Sequence, residues 1–484
     1  MNDHLSSGGR RAEDRDSEDR SAWREEAGLV RDAGIRLLHD TSRVITRFFE
    51  PGEENVGPGR SRAAAVVERV RALSEEEAVA ALDDVERRFG DRHRSMRKTW
   101  RDHAAHALSS SASDGAPISP TPGHPESPDR LGEALTTAKL LLIGAVFTQE
   151  YAIEGAALCN PSIVLAPGAV LAPGATSAGT EGGRSVEFVM SVRGIGEGHR
   201  STIGFRSGRV SPDGSVVVDP PDPFPVVVEP TVGTFRREYA LPDGSYRIGF
   251  APSGALSSRV LYPFLGVENG GMEDSRFVRF VDDLGAVSYF GTYTAFDGAT
   301  ARQRLLRTKD FVVFTSMPVN GPGAIGKGLA LFPRKVNGRF AALTRSDRES
   351  NGVSFSDEVG FWGEPIHIQD PVHAWEVVQL GNCGSPIETD AGWIVLTHGV
   401  GALRTYSIGA LLLDLDDPTK VIGSTTTPLL TPNIEQPGGY VPNAIYSCGA
   451  FVVGDTMVLP YSIADQSIAV VTVSVPALIG RMRA

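Results

Sequence analysis

The sequence predicts a mostly β chain that carries a helical region near its N-terminus. Three observations support this. The 54 glycines and 32 prolines make up 86 of 484 residues, well above the ordinary ~12%, which excludes a mostly helical protein. From about Ala156 onward, short and often β-branched apolar runs alternate with turn pairs such as Asp213-Gly214 and Asp243-Gly244, the pattern of strands at hairpin spacing. Between Arg60 and His106 there is one glycine, Gly90, and no proline, as expected of helices.

Taken in order, residues 1–20 are polar and dense in both signs of charge and read as a disordered tip rather than a signal peptide. Residues 21–107 read as a helical extension. Ala22 to Phe49 has a helical pattern that stops at Pro51-Gly52. Ser74 with Glu77 fits a capping box, and Val79, Leu82, Val85 and Phe89 share a helical face. His93, His103 and His106 sit among charges and read as a solvated face. Residues 108–130 are rich in Ser, Pro and Gly and read as a linker. A short helix is expected at Leu131 to Leu142, opening a β domain that spans 131–484. Strands are expected at Val186–Val192, Arg276–Val281, Val287–Tyr293, Trp393–Val400, Ile408–Leu415, Met457–Ser462 and Ile468–Val473. Periodicity alone leaves sandwich, barrel and propeller open.

The formal net charge of −12 argues against a nucleic-acid or anionic-membrane surface. Three cysteines without a CxxC give neither a disulfide framework nor a zinc ribbon. No apolar run approaches the ~20 residues of a membrane span, so a cytoplasmic location is expected. Lysines number 6 against 41 arginines.

Several motifs carry two readings. Gly321 to Lys327 matches GxGxxG and nearly matches the P-loop. However, Gly328 lacks the hydroxyl a P-loop needs, and Leu329 to Pro333 looks like a strand, not a helix. The segment is a plain surface turn or a turn presenting Lys327 to a ligand. Cys383 and His398 could form a nucleophile pair, or Cys383 is a buried structural thiol. Glu273-Asp274-Ser275-Arg276, after Gly270-Gly271, suits protonation of a glycosidic oxygen, or is a turn carboxylate with an ordinary salt bridge.

Together these stretches resemble glycoside hydrolase family 130, the mannoside phosphorylase family. Gly271 to Arg276 is similar to the family's G-x-E-D-P-R, and Tyr293 to Phe296 to Y-T-A-Y. Lys327 to Pro333 resembles N-K-D-A-A-L-F-P, and Gly392 to Val400 resembles G-W-L-x-x-Y-H-G-V. Gly409 to Pro418, Gly439 to Asn443 and Asp465 follow in the family's order. The resemblance implies a five-bladed β-propeller with its site in a central funnel, preceded by the small α-helical region. It implies inverting phosphorolysis of β-mannosides to mannose 1-phosphate, or the reverse synthesis. Asp274 is the implied acid, and Arg302, Lys327, Arg345 and His398 the implied phosphate cradle. Asn269, Glu273, Arg276, Tyr293, Gln379, Asn443 and Asp465 are carried over as sugar-binding residues. No metal or cofactor is implied, with inorganic phosphate serving as co-substrate.

Three departures bear on this. Ser275 replaces the motif proline, Gly328 replaces an aspartate, and Gln379 stands where the family has a phosphate-binding lysine, nineteen residues before His398. A β-mannoside hydrolase using water is therefore an alternative, with Glu435 or Asp465 as base, and a non-catalytic sugar-binding propeller is another. The expected partners are a β-mannoside oligosaccharide and phosphate, without nucleic acid or membrane. The helical extension offers a surface for homo-oligomer formation.

Overall fold

The computed structural model describes residues 28–52, 55–57, 60–113, 135–169, 185–230, 241–433 and 438–483. The expected tip, most of the linker and Glu435 lie outside them. Four helices, α1 (Arg62–Ala72), α2 (Glu75–Phe89), α3 (Met96–Ser113) and α4 (Thr137–Val146), form one bundle. Ser61, Ser74 and Thr136 cap α1, α2 and α4, and Ser74 with Glu77 forms the expected capping box. On α2 the buried face runs through Ala78 and Leu82, whereas Val79 points outward. Gly144 lets α4 lie against α3: a Cβ there would sit 1.8 Å from the Trp100 carbonyl oxygen. His93 and His103 do not face solvent freely. Each contacts the Thr148–Ala152 strand, His93 Nε2 through Glu150 at 2.8 Å and His103 Nδ1 through Thr148 at 2.7 Å.

Two sequence expectations are corrected. The segment expected to be helical at Ala22 to Phe49 instead holds strands at Val30–Leu37 and Val44–Phe48. Val30–Leu37 carries a bulge between Asp32 and Ile35. A bulge shifts the inward–outward alternation by one residue, so the apolar spacing mimics a helix. The short helix starts at Thr137 rather than Leu131 and packs on α2 and α3, so the extension reaches past the expected boundary at 130. The Val44–Phe48 strand pairs with Thr148–Ala152 beside this bundle. Buried Arg43 ties the bundle to the β region, donating to Glu154 and to the Ser257 carbonyl, and Arg206 shares Glu154 at 2.8 Å.

The rest of the chain forms five antiparallel strand groups. The first comprises Ala157–Leu165, Val186–Ile195, Ser201–Val210 and Val216–Val218. The second comprises Gly271–Val281, Val287–Phe296, Ala301–Thr308 and Val313–Pro318, with Tyr246–Gly249 at its edge. With the short strands Val226–Val227 and Arg259–Leu261, these two join into one eleven-stranded sheet, bridged between Gly271 and Ser201. The third is Ala330–Leu331, Phe340–Thr344, Asn351–Ser356 and Ile366–Gln369. The fourth is Gln379–Asn382, Gly392–Val400, Tyr406–Leu413 and Val421–Ser424. The fifth combines Ile445–Tyr446, Thr456–Ile463 and Ser467–Ser474 with Val30–Leu37, whose Val30 pairs with Val473. None of the described sheets closes on itself.

The core lies between the groups. Phe205 of the first packs with Phe277 of the second, and Phe290 of the second with Ala342 of the third. Leu343 of the third packs with Leu411 of the fourth, and Ile394 of the fourth with Leu459 of the fifth. Val458 and Val470 of the fifth return to pack on Leu158 and Phe188 of the first. Helix α5 (Val475–Arg483) seals the fourth and fifth groups with Leu478 and Met482. Among the described residues, no helix is long and apolar enough to cross a membrane.

Candidate active site

Four backbone irregularities build the site. Asn160, Asp274, Arg404 and Asp465 have φ of 48°, 52°, 55° and 50°, values that side chains other than glycine seldom adopt. Asn160 and Asp274 lie where register shifts interrupt their strands. Such bulges re-aim side chains, and here all four residues line one cavity of about 220 Å³. Arg193, Lys327, Arg345, Gln379, His398, Tyr406 and Tyr446 complete most of its wall.

Asp274 is held from several sides. Asn160 Nδ2 donates to its Oδ1, and Arg193 Nη1 reaches the same oxygen at 3.3 Å. Burial would raise this carboxyl's pKa. The cations Arg193, Arg276 and Lys327, helped by the Asn160 hydrogen bond, outweigh burial and pull it down to about 2. Glu273 stands beside it, bridging Arg193 Nη2 and Lys327 Nζ at 2.7 Å each. Arg276 lies behind the wall and is 2% exposed. It donates to the backbone carbonyls of Cys383 and Asp274 at 2.9 and 3.0 Å and to Tyr446 Oη at 2.8 Å.

Across the cavity, Arg345 Nη1 lies 2.8 Å from His398 Nε2. Arginine can only donate, so the imidazole accepts there and its proton sits on Nδ1. Burial, then Arg345 and Arg276, push the His398 pKa well below its usual value, leaving it neutral. Asp465 is shifted the other way: burial raises its pKa, and the Asp274 and Glu273 carboxylates add to the rise against Arg193 and Arg404. The cavity and its immediate backing thus hold five cations (Arg193, Arg276, Lys327, Arg345, Arg404) against three carboxylates (Glu273, Asp274, Asp465). A chain of net charge −12 concentrates a positive excess at this one place.

Of the residues flagged in the sequence, Asp274, Lys327, Arg345, Gln379, His398 and Asp465 converge on the cavity. Glu273 and Arg276 support it. The others do not line it. Arg302 is exposed near the start of the Ala301–Thr308 strand, where it pairs with the buried Ala295 but does not line the cavity. Tyr293 is fully buried and donates to Glu268 at 2.5 Å, receiving Arg304 Nε at 3.1 Å. Its strand position turns it into the core between sheets, away from the opening. Asn269 is exposed; its carbonyl accepts from Arg200 and its amide donates to the Gly266 carbonyl. Asn443 gives its carbonyl to the Tyr406 amide. The sequence reading missed Asn160, Arg193, Arg404, Tyr406 and Tyr446. The Asn160-Pro161 pair was the one local signal among them, since Asn before Pro marks a break in a strand.

Cys383 is fully buried, and desolvation pushes its thiol up to about 12, so the structural reading holds and no thiolate is available near neutral pH. The Gly321–Lys327 turn leads into the short Ala330–Leu331 strand, not a helix, and sets Lys327 in the cavity. A larger cavity of about 460 Å³ opens beside the first group, between Phe188, Arg259 and Phe311. Its Asp219 and Asp310 are engaged by Ser207 and by the Val312 and Val313 amides, and it contains none of the flagged residues. Among the described residues, no cluster of three or more His, Cys, Asp and Glu side chains is placed to hold a metal ion.

Comparison with known proteins adds an independent line. A family model, glycoside hydrolase family 130, described as beta-1,4-mannooligosaccharide phosphorylase, matches residues 255–483. The chain is 33% identical over 237 residues to a 1,2-beta-oligomannan phosphorylase of Thermoanaerobacter sp., covering 46% of this chain and 77% of that protein. It is 32% identical over 222 residues to a beta-1,2-mannobiose phosphorylase of Listeria innocua, covering 43% of this chain and 59% of that protein. A solved structure of beta-1,2-mannobiose phosphorylase from Listeria innocua matches with a TM-score of 0.44 and 20% identity, over 67% of this chain and 93% of that one.

Proposed function

The chain belongs to glycoside hydrolase family 130, and from that premise we propose that it is an inverting β-mannoside phosphorylase. The observation that carries this reading is Asp274, held where its carboxyl faces a cavity with two more cations than carboxylates. Phosphate near neutral pH is a mixture of monoanion and dianion, so it fits that excess. A phosphate oxygen attacks the anomeric carbon and the glycosidic C–O bond breaks. Its electron pair stays on the leaving oxygen, which takes the Asp274 proton directly or through a sugar hydroxyl. The products are mannose 1-phosphate and the shortened sugar. Phosphate brings its own negative charge as nucleophile, so one protein carboxyl suffices.

Lys327, Arg345 and His398 form the phosphate cradle. Arg345 brings a planar fork of N–H donors suited to phosphate oxygens, and the neutral His398 holds it in place from the side. Asp465 faces the sugar, and Gln379 stands in the wall beside the phosphate. Arg276 positions the Asp274 backbone, and Tyr293 acts in the core. The five strand groups are read as blades of a five-bladed β-propeller. The ring of inter-group packing supports this. So does a third cavity, of about 280 Å³, lined in part by Val164, Phe277, Pro333, Ser385 and Phe451. Each of these lies a few residues after a site residue, Asn160, Asp274, Lys327, Gln379 or Tyr446, as expected for five inner segments running from one face to the other.

The test is incubation with β-1,2- and β-1,4-mannobiose, with and without phosphate. Mannose 1-phosphate should form only when phosphate is present. A second reading, hydrolysis, is favoured by one observation: Asp465 is a second carboxylate in the same cavity, with a raised pKa suited to a general base. Phosphate-independent release of free mannose would establish it instead.

The cradle gives a further expectation. A Cβ on Gly381 would lie 2.7 Å from both Arg345 Cδ and His398 Cε1, far inside van der Waals contact. Gly381→Ala must therefore part the Arg345–His398 pair. Its KM for phosphate should rise by about tenfold, the equivalent of one charged hydrogen bond, with a smaller change in the KM for the mannoside. Steady-state kinetics in each substrate checks this.

A further inference from the structure

Two hairpin corners beside the cavity share one backbone design. Gly196–Arg200 joins the second and third strands of the first group, and Gly401–Thr405 joins the corresponding strands of the fourth. In each, the opening glycine amide donates to the carbonyl four residues on, at 3.1 Å for Gly196 and 3.0 Å for Gly401. Each then carries two successive residues in the left-handed region: Gly198 and His199 at φ 69° and 58°, Leu403 and Arg404 at 54° and 55°. Corners of this kind favour Asn and Gly. A leucine and an arginine hold the conformation under strain, and Leu403, 88% exposed, gains almost no packing in return. The corner's effect is to set Arg404 in the cavity wall with Gln379 and Arg345.

The cations of the cavity differ in what they are free to do. Arg193 and Lys327 are already engaged by Glu273, and Arg345 donates to a neutral imidazole. Among the described residues, Arg404 forms no ion pair, although its charge reaches Asp465. An unpaired guanidinium at the opening of a cationic cavity is suited to an incoming dianion.

We propose that Arg404 is a phosphate-binding residue of this enzyme, supplying from a strained hairpin corner the positive charge that Gln379 does not supply. This rests on the phosphorylase reading. Residue 379 sits at the start of a strand and residue 404 on a corner of the same sheet, so a cation from either position can enter the same cavity.

The test uses the full chain and whichever mannobiose the wild type phosphorolyses. Arg404→Gly suits the left-handed backbone and removes the charge. Its KM for phosphate should rise ten- to a hundredfold, roughly the loss of one charged hydrogen bond. Its KM for the mannobiose should stay within about twofold, by the same arithmetic, and its melting temperature should hold or rise. Adding Gln379→Lys to that variant should recover much of the phosphate affinity, and Arg404→Lys should lose less than Arg404→Gly. A phosphate KM within about twofold of wild type, or a rise confined to the mannobiose KM, overturns the proposal. A wild-type protein that makes no mannose 1-phosphate overturns the phosphorylase reading itself, a result visible before any variant is made.

Discussion

Asp274→Asn is expected to lower kcat by about a thousandfold or more, the upper part of the range for losing a positioned general acid, while the protein stays folded. Asparagine keeps the shape of the side chain, so the Asn160 and Arg193 contacts lose little space, but it has no proton of suitable acidity to give. The variant also reports on stability. The native carboxyl titrates at about 2, below its ordinary value, so its charged form stabilises the fold by about 2 kcal/mol. That contribution is present above pH ~4 and is lost as pH falls toward 2. Wild type should therefore melt a few degrees above the variant at pH 7, and the gap should close in acid. The low value also creates a requirement for catalysis, because an acid must hold its proton. Phosphate bound beside Lys327 and Arg345 offsets the charges that keep Asp274 ionised. The loss of activity with rising pH should then fall at higher pH in kcat, measured at saturating phosphate, than in kcat/KM. Coincident profiles would count against this coupling.

Arg276→Met is expected to cost about 3–5 kcal/mol of stability, the range for breaking a buried charged network by removing one partner. The guanidinium is fully enclosed and satisfies three acceptors at once: the Cys383 carbonyl, the Asp274 carbonyl and the Tyr446 hydroxyl. Methionine fills much of the volume and leaves all three without a donor. Arg276→Lys should recover part of the loss, since one ammonium cannot span three acceptors in this planar arrangement. Urea unfolding measures both. The Met variant should also titrate Asp274 at higher pH, because Arg276 is one of the cations holding that group down.

The local signals in the sequence were reliable where one element determined the outcome. The Ser74–Glu77 box caps α2, and the β-branched runs became strands. The motif residues Asp274, Lys327, Gln379 and His398 came together in one cavity. What was not legible depends on neighbours distant in sequence. Arg193 and Asn160 reach Asp274 only because the first strand group lies beside the second. Arg404 reaches the cavity only through an unusual turn with no Asn or Gly at its two left-handed positions. Tyr293 lies on a motif strand, but its orientation takes it to Glu268 and Arg304, an alternation that no motif encodes. Val30–Leu37 was misread because its bulge disrupts the period of two and its partner strand, Ser467–Ser474, lies at the far end of the sequence.

That last pairing has a consequence for how the protein is made. Synthesis runs from the N-terminal side, so Val30–Leu37 emerges from the ribosome long before the strand it pairs with. Until then it is an open edge, available for pairing with other chains, and the wall carrying Tyr446 and Asp465 does not yet exist. Contacts this distant in sequence are slow to form. Assembly of the cavity therefore waits for the Ser467–Ser474 strand, and the growing chain is open to aggregation along the Val30–Leu37 edge until that strand is made.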